Sequence, residues 1–436
     1  MNKQQRNLIK IALYKLERIN LFLQTNKNAR NFMKYYFILT VKLMVFCILI
    51  VDTLAQSLAY NRPAVKVENQ TGNPPENMGS QKQKDYMHSC PNKPTTLGDE
   101  ARNKLQKIYQ AIGRAQESPG AIKVLDLLTE SWSKYDTETR WANNVAGDRC
   151  PLEFSLTFKG NKELPIVRFL IEPQESPFTL QSSWKVGLEL KEKLGSLPGV
   201  DISNFDKIYS IFSPIVNPQV PTTYESFSIW YAADLEHNHP KFKVYFNPRI
   251  LGGEKAPELI RQALITLDAE ASWNFLSPRL NIAHSESKLA FFSLDLTAGV
   301  KARTKVYVAN KLINDIERQL QGCHYYVNGA ASSWIKTLIK KEDFFNVKPI
   351  IITFNFTVGD DVPVPTIHIP VDAYVNNDAV IIQRMNKLLS PNQIKILTEA
   401  ISHISEKPLE STNFLTYVSL RPSENGQLDI TCYLSL

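Results

Sequence analysis

The sequence lacks the motifs that mark several common classes of enzyme. It has no GxSxG nucleophile elbow, no Walker phosphate-binding loop and no dinucleotide-binding fingerprint. Its five cysteines are odd in number, widely spaced and without a CxxC pair, so neither a disulfide framework nor a zinc site is predicted. This cysteine usage favours a reducing, cytoplasmic compartment.

Dense charge and long apolar runs are also missing. The net charge is +7, and only the first 42 residues are strongly basic, so no nucleic-acid-binding patch is predicted. The strongest apolar run, at 43–51, is about nine residues, whereas a membrane-spanning helix needs roughly 20. An apolar content of 43% nevertheless indicates a globular protein with a sizeable core.

The first 95 residues differ in composition from the rest of the chain. Residues 1–59 join a basic flank to an apolar segment at 37–55, which is typical of a secretory signal or a weak anchor. A translation start assigned too early is an equally good interpretation, and membrane contact is expected through this segment alone. Residues 60–95 are rich in polar residues and Pro, and they are predicted to form a disordered linker. The folded domain is therefore predicted at 96–436.

One short strand pattern recurs five times in this domain. Lys243 and Tyr245 lie two positions apart, and alternate residues of a strand share one face. The pattern begins, with steps of 75, 62, 61 and 65 positions, at Arg168, Lys243, Lys305, Thr366 and Thr431. A near-constant period is the signature of a repeated supersecondary unit.

Each repeat combines amphipathic helical stretches with a β-hairpin. The hairpins predict ten antiparallel strands, beginning with 152–158 and 166–171 and ending with 415–420 and 428–434. Closing so many strands into a barrel removes the exposed edges of an open sheet. The predicted fold is α+β: a ten-stranded antiparallel β-barrel surrounded by α-helices, built from five ααββ repeats.

If the repeated face looks inward, the barrel lumen holds cations interleaved with tyrosines. The cations are Arg168, Lys243, Arg303, Lys305 and Arg421, and the tyrosines are Tyr245, Tyr307, Tyr417 and Tyr433. Burying several like charges is costly without a polyanion, and a diphosphate accepts forked hydrogen bonds from arginine. Tyrosine faces attract a carbocation and exclude water. The alternative is that these cations cover a solvent-facing side of the strands.

Glu153 interrupts an apolar strand. In the lumen it could accept a hydrogen bond from a substrate N–H or act as a general base. An exposed position, or an ion pair with Arg168, is an equal alternative from the pattern alone. No metal site is predicted, because Asp360 and Asp361 are not followed by the remainder of a DDxxD motif.

Several of these segments resemble one family in their order along the chain. Residues 151–155, 243–248 and 303–307 and the closing Tyr417 and Tyr433 are similar to motifs of the dimethylallyltryptophan synthase-type (ABBA) aromatic prenyltransferases, particularly the bacterial indole prenyltransferases. The similarity covers roughly residues 96–436. It implies transfer of a dimethylallyl or geranyl group from an allylic diphosphate to the indole of tryptophan or a tryptophan-derived metabolite, in secondary metabolism.

The resemblance also implies roles for individual residues. Glu153 would hold the indole N–H, and the diphosphate would be bound without a metal or other cofactor by Arg168, Lys243, Arg303 and Lys305. Arg421, which the strand pattern places on the same face, is predicted to join these cations. The four tyrosines would shield the carbocation. The chain would act as a monomer or homodimer, with a prenyl diphosphate and an indole as its partners.

Two departures from the family pattern point to substrate choice. Some members have a lysine before the second repeat strand to take the ring proton, whereas residues 228–232 contain Trp230 and no lysine. The fourth repeat has Thr366 and His368 where the family usually has Lys or Gln and Tyr. These three residues are predicted to set specificity, towards a bulkier acceptor or a longer donor. A non-enzymatic barrel that binds a hydrophobic anion, and a secreted or anchored binding protein, are the alternatives.

Overall fold

The computed structural model describes residues 96–435 except 138, 140–144, 146–149, 215–226, 237–238, 281–286 and 300–301. The predictions for residues 1–59 and 60–95 lie outside the described residues. Within the described ranges, no helix has both the length and the apolar character needed to cross a membrane.

Amphipathic stretches form ten α-helices in the described part of the chain. They are α1 (Leu97–Ala111), α2 (Ser118–Thr129), α3 (Leu180–Gly195), α4 (Ser203–Ile208), α5 (Ala256–Thr266), α6 (Glu270–Leu276), α7 (Ile313–Leu320), α8 (Ala330–Ile339), α9 (Asp378–Met385) and α10 (Pro391–Ser405). The sequence predicts a single helix at 258–271, but Asp268 takes a positive φ of 57° and separates α5 from α6. Helix α4 has no counterpart among the sequence predictions.

Five β-hairpins close into a ten-stranded antiparallel barrel. The strands are β1 (Leu152–Lys159), β2 (Ile166–Ile171), β3 (Ile229–Glu236), β4 (His239–Phe246), β5 (Ser287–Asp295), β6 (Arg303–Asn310), β7 (Ile350–Thr357), β8 (Asp360–Pro370), β9 (Leu415–Pro422) and β10 (Leu428–Leu434). Each strand pairs with its neighbour in sequence, and β1 pairs with β10 to complete the circle. The predicted barrel and its five hairpins are confirmed.

The two faces of each strand have different environments. In β1, Leu152, Phe154, Leu156 and Phe158 are at most 1% exposed and belong to the hydrophobic core that the helices share. The alternate positions of β1 are polar and face the lumen, where Thr157 reaches the cavity wall. The hydrophobic core therefore lies between the barrel and the helices, which leaves the lumen free for polar and charged side chains.

Candidate active site

The lumen contains a cavity of about 550 Å³, to which all ten strands contribute side chains. This volume is within the usual range for a small-molecule site. Seven cations and four carboxylates line it and leave a net charge of +3: Lys159, Arg168, Lys241, Lys243, Arg303, Lys305 and Arg421 against Asp234, Glu236, Asp295 and Asp429. The five cations predicted from the sequence are thus brought together.

Asp234, on β3, joins two of the predicted cations. Its Oδ2 accepts a hydrogen bond from Arg168 Nη2 at 2.7 Å, and both of its oxygens lie 2.6 Å from Lys243 Nζ. Burial opposes ionisation of this carboxyl, but the charges of Arg168 and Lys243 hold its pKa well below the usual range. Burial in turn lowers the pKa of Lys243, although Asp234 counteracts this effect.

Asp295, at the end of β5, has the same role on the next hairpin. It accepts hydrogen bonds from Arg303 Nε at 2.6 Å and from Lys305 Nζ at 2.8 Å. Burial lowers the pKa of Lys305 to about 8, although the Asp295 carboxylate raises it. The sequence pattern predicts neither aspartate as a site residue and leaves the whole balancing charge to a ligand. Their spacing was the available signal, since Asp234 and Asp295 are 61 positions apart, one repeat period.

Part of the positive charge is not neutralised by the protein. Arg421 is partly buried, and no carboxylate among the described residues lies within ion-pair distance of it. Burial lowers the pKa of Arg421, and so do the charges of Arg303 and Arg168, although Asp429 raises it. Arg168 Nε is buried and has no hydrogen-bond partner in the same ranges. These donors suit an anionic ligand better than an empty lumen.

Aromatic side chains form an arc around the lumen beside the cations. Successive ring centroids are 5.8 Å apart for Tyr245 and Tyr307, 5.9 Å for Tyr307 and His368, 6.0 Å for His368 and Tyr433, and 6.4 Å for Tyr433 and Tyr417. These are contact distances for aromatic pairs. We call these five residues the aromatic arc. The four predicted tyrosines therefore belong to one arc, and His368 lies in that arc between Tyr307 and Tyr433.

Glu153 lies one inward position beyond the arc. In the pairing of β1 with β10, Thr157 lies opposite Thr431 and Ser155 lies opposite Tyr433. Glu153 is the next lumen-facing residue of β1, so it lies past Tyr433, on the side away from Thr431. The Glu153 side chain is buried, and its Oε1 accepts a hydrogen bond from Thr416 Oγ1 at 2.9 Å. Of the alternatives considered for Glu153, an exposed position is therefore wrong.

Aromatic side chains also occupy the far end of the lumen. Trp230 stacks on Phe227 with centroids 3.9 Å apart, and it packs on Phe291 at 5.3 Å. The structure does not place Trp230, Tyr417 or Glu153 on the wall of the 550 Å³ cavity. Thr366 and His368, the other two residues predicted to set specificity, do line that wall.

Glu172, immediately after β2, is a buried carboxyl that the sequence analysis did not single out. Its Oε1 is 3.5 Å from Ser183 Oγ. Burial raises its pKa well above the usual value, an effect that the nearby polar groups of Trp230, Gln174 and Ser183 only partly offset. Glu172 is therefore a buried carboxyl near Trp230 and outside the cavity wall. Among the described residues, no group of three His, Cys, Asp or Glu side chains is arranged to hold a metal ion.

A closed ten-stranded barrel with external helices, a cationic lumen and an adjoining aromatic arc defines the class of barrel-shaped aromatic prenyltransferases, here acting on indole. The family model described as tryptophan dimethylallyltransferase matches residues 123–399, and the chain belongs to that family. No curated protein sequence matches the chain.

Solved structures agree with this fold. The 6-dimethylallyltryptophan synthase from Micromonospora olivasterospora, crystallised with DMASPP and Trp, is 24% identical, with a TM-score of 0.71 over 78% of this chain and 98% of that one. The 5-dimethylallyl tryptophan synthase from Streptomyces coelicolor is 22% identical, with a TM-score of 0.70 over 79% and 96%. AnaPT from Neosartorya fischeri is 16% identical, with a TM-score of 0.63 over 78% and 94%. At these identities the likeness concerns the fold alone.

Proposed function

We propose that the protein transfers a dimethylallyl or geranyl group from its diphosphate to the indole ring of tryptophan or a tryptophan-derived metabolite, in secondary metabolism. The observation that carries this proposal is the excess of lumenal cations directly beside the aromatic arc. The complexes of two similar synthases with DMASPP and Trp support the choice of substrates.

The first step is loss of diphosphate from the allylic carbon. As the C–O bond breaks, negative charge grows on the leaving oxygens, and Arg168, Lys243 and Lys305 are already in place to receive it. Preorganised charge of this kind stabilises a developing anion without a reorganisation cost. The proposal therefore assigns to these cations the role that a metal ion has in other diphosphate enzymes.

The second step is attack by the indole ring on the allyl cation. The faces of Tyr245, Tyr307 and Tyr433 stabilise the cation, and the arc keeps water away from it. Glu153 accepts a hydrogen bond from the indole N–H, which orients the ring and increases its electron density. The position of Glu153 beyond the arc supports this order of diphosphate, prenyl group and indole along the lumen.

Product formation tests the proposal directly. The full chain would be incubated with dimethylallyl or geranyl diphosphate and a panel of indoles, with EDTA present, and products would be identified by mass. We expect at least one prenylated indole. Retention of the diphosphate with no product from any pair would instead support the non-enzymatic barrel, and activity lost to EDTA but restored by Mg²⁺ would contradict metal independence.

Arg421 is expected to contribute to donor affinity. Because no carboxylate among the described residues forms a direct ion pair with it, Arg421 can donate to a ligand, and Arg421→Gln should raise KM for the prenyl diphosphate about tenfold, the loss of one charge-assisted hydrogen bond. The exposed Arg261 on α5 offers a matched control, and Arg261→Gln should leave KM unchanged. An unchanged KM in the Arg421 variant would remove that residue from the diphosphate site.

Lys305 should make donor binding depend on pH. With a pKa of about 8 in the free enzyme, Lys305 is charged below pH 8 and increasingly neutral above it. An anion binds the charged form, so affinity for dimethylallyl thiolodiphosphate should fall by up to about tenfold per pH unit above 8. Lys305→Arg should flatten this dependence, because a guanidinium stays charged. Calorimetric titrations from pH 7 to 9.5 would show whether the two curves differ.

Trp230 should limit the size of the substrates. Its indole and the ring of Phe227 fill the end of the lumen, so Trp230→Ala should create room there. We expect the ratio of kcat/KM for geranyl over dimethylallyl diphosphate, or for a cyclic tryptophan dipeptide over tryptophan, to rise at least about tenfold, a size typical of pocket-volume effects. Steady-state kinetics with paired substrates would measure both ratios, and no change in either would place Trp230 outside the specificity site.

A further inference from the structure

The fourth repeat places an imidazole where three other repeats place a phenol. Repeats two, three and five begin at Lys243, Lys305 and Thr431. Each has a tyrosine two positions later: Tyr245, Tyr307 and Tyr433. In repeat four that residue is His368, whose ring centroid is 5.9 Å from Tyr307 and 6.0 Å from Tyr433. A nitrogen base therefore lies within the arc that surrounds the proposed carbocation.

The hydrogen bonds of His368 leave one nitrogen suited to accepting a proton. Nε2 is 2.8 Å from Thr353 Oγ1, whereas Nδ1 is 3.4 Å from the Tyr433 hydroxyl, a long contact. In the tautomer that carries its hydrogen on Nε2, Thr353 accepts that hydrogen and the Nδ1 lone pair remains basic. The ring lies on the cavity wall, so a substrate in the lumen can reach it.

Other candidate bases are less suitable. His368 is the one histidine among the described residues of the cavity wall. The carboxylates Asp234 and Asp295 are each bound by two cations. Glu172, whose pKa is raised by burial, does not lie on the cavity wall. Burial lowers the pKa of His368 to about 3, so its imidazole is neutral before the reaction.

We propose that His368 is the base that removes the ring proton after prenyl transfer. The inference rests on the proposed function. The C–H bond at the prenylated carbon breaks, its electron pair returns to the ring, and the proton bonds to Nδ1. The proton then passes to an oxygen of the departing diphosphate, which restores the neutral imidazole.

The energetics are consistent with a weak base. The prenylated intermediate is a strong acid, because losing its proton restores aromaticity, so an imidazole of low basicity is sufficient. The nearby diphosphate also stabilises the imidazolium, since an opposite charge favours the charged form.

The test separates deprotonation from donor ionisation. In His368→Gln and His368→Ala, kcat for tryptophan should fall about 100-fold or more, as expected for the loss of a general base. A primary isotope effect with ring-deuterated tryptophan should appear, because proton removal becomes rate-limiting. Exchange of ¹⁸O between the bridging and non-bridging positions of the donor, which reports ionisation, should stay within about threefold of the parent. Added imidazole should restore part of the activity of His368→Ala.

Controls distinguish the possible failures. His403, exposed on α10, gives the matched variant His403→Ala, which should behave as the parent protein. A kcat within threefold of the parent in both His368 variants, or equal losses of turnover and isotope exchange with no isotope effect, would overturn the assignment of the base. If the parent protein forms no prenylated indole at all, the proposed function itself fails, and that outcome is independent of His368.

Discussion

Glu153→Gln should lower kcat/KM for the indole acceptor about 100-fold, and Glu153→Ala about 1,000-fold. The indole N–H needs an acceptor, and Oε1 of Glu153 already accepts from Thr416. A glutamine that keeps the Thr416 hydrogen bond would present its NH₂ group to the indole N–H, donor against donor. Losses of this size are typical when a preorganised electrostatic contact to the transition state is removed.

Measurement of both half-reactions would locate the defect. Prenylated tryptophan would be quantified by chromatography, and prenyl alcohol, the product of donor hydrolysis, would be measured in the same samples. We expect transfer to fall while hydrolysis persists, because Glu153 does not line the cationic part of the cavity. Glu189→Gln, on the exposed face of α3, is the matched control. Near-full transfer in both Glu153 variants would remove this residue from the acceptor site.

Asp234→Asn should destabilise the empty enzyme by about 3 kcal/mol and make its stability depend strongly on the donor. The substitution leaves Arg168 and Lys243 without their buried counter-charge, and breaking one side of a buried ion pair typically costs about 3–5 kcal/mol. A bound diphosphate returns negative charge to the same cations. The difference in Tm from the parent protein should therefore shrink by at least about half when the thiolodiphosphate is saturating.

The comparison needs a carboxylate whose ion pair faces solvent. Asp126, on α2, pairs with Arg102 at 2.7 Å and is about 42% exposed, so Asp126→Asn should change the free energy of unfolding by less than about 1 kcal/mol. Thermal melts of the parent protein and both variants, with and without the thiolodiphosphate, would give the six values required. Equal shifts by the ligand in the parent protein and in Asp234→Asn would contradict a shared role for these cations in fold and ligand binding.

The barrel could be predicted from the sequence because local and long-range patterns agree. Alternation fixes which side chains share a face, and turn residues mark the hairpins, so that β2 was predicted with its observed bounds, Ile166–Ile171. The repeat spacing of 61 to 75 residues then predicted that Lys243 and Lys305 share one lumen. Element boundaries were predicted less well: the sequence indicates a turn at 236–240, but β4 begins inside that stretch, at His239.

The charge balance of the lumen could not be predicted in the same way. An isolated aspartate in a strand has no local signal. The 61-residue spacing of Asp234 and Asp295 marks the two residues as a pair, but only strand pairing shows that Asp234 lies opposite Arg168. Likewise, the sequence marked His368 as a departure from the family pattern, whereas its contacts with Tyr307 and Tyr433 depend on barrel closure. Contacts that depend on strand pairing and barrel closure cannot be read from a local sequence pattern.

The pairing of β1 with β10 has a consequence for biosynthesis. Thr157 and Thr431, whose hydroxyls are 2.9 Å apart, are separated by 274 positions. At ribosomal rates the first strand waits on the order of 15–50 seconds for its last partner. Until then the growing sheet has an open edge and no enclosed lumen, so the nascent chain is exposed to aggregation and inactive. Catalytic competence should arise in a single late event, when the final hairpin leaves the ribosome and docks.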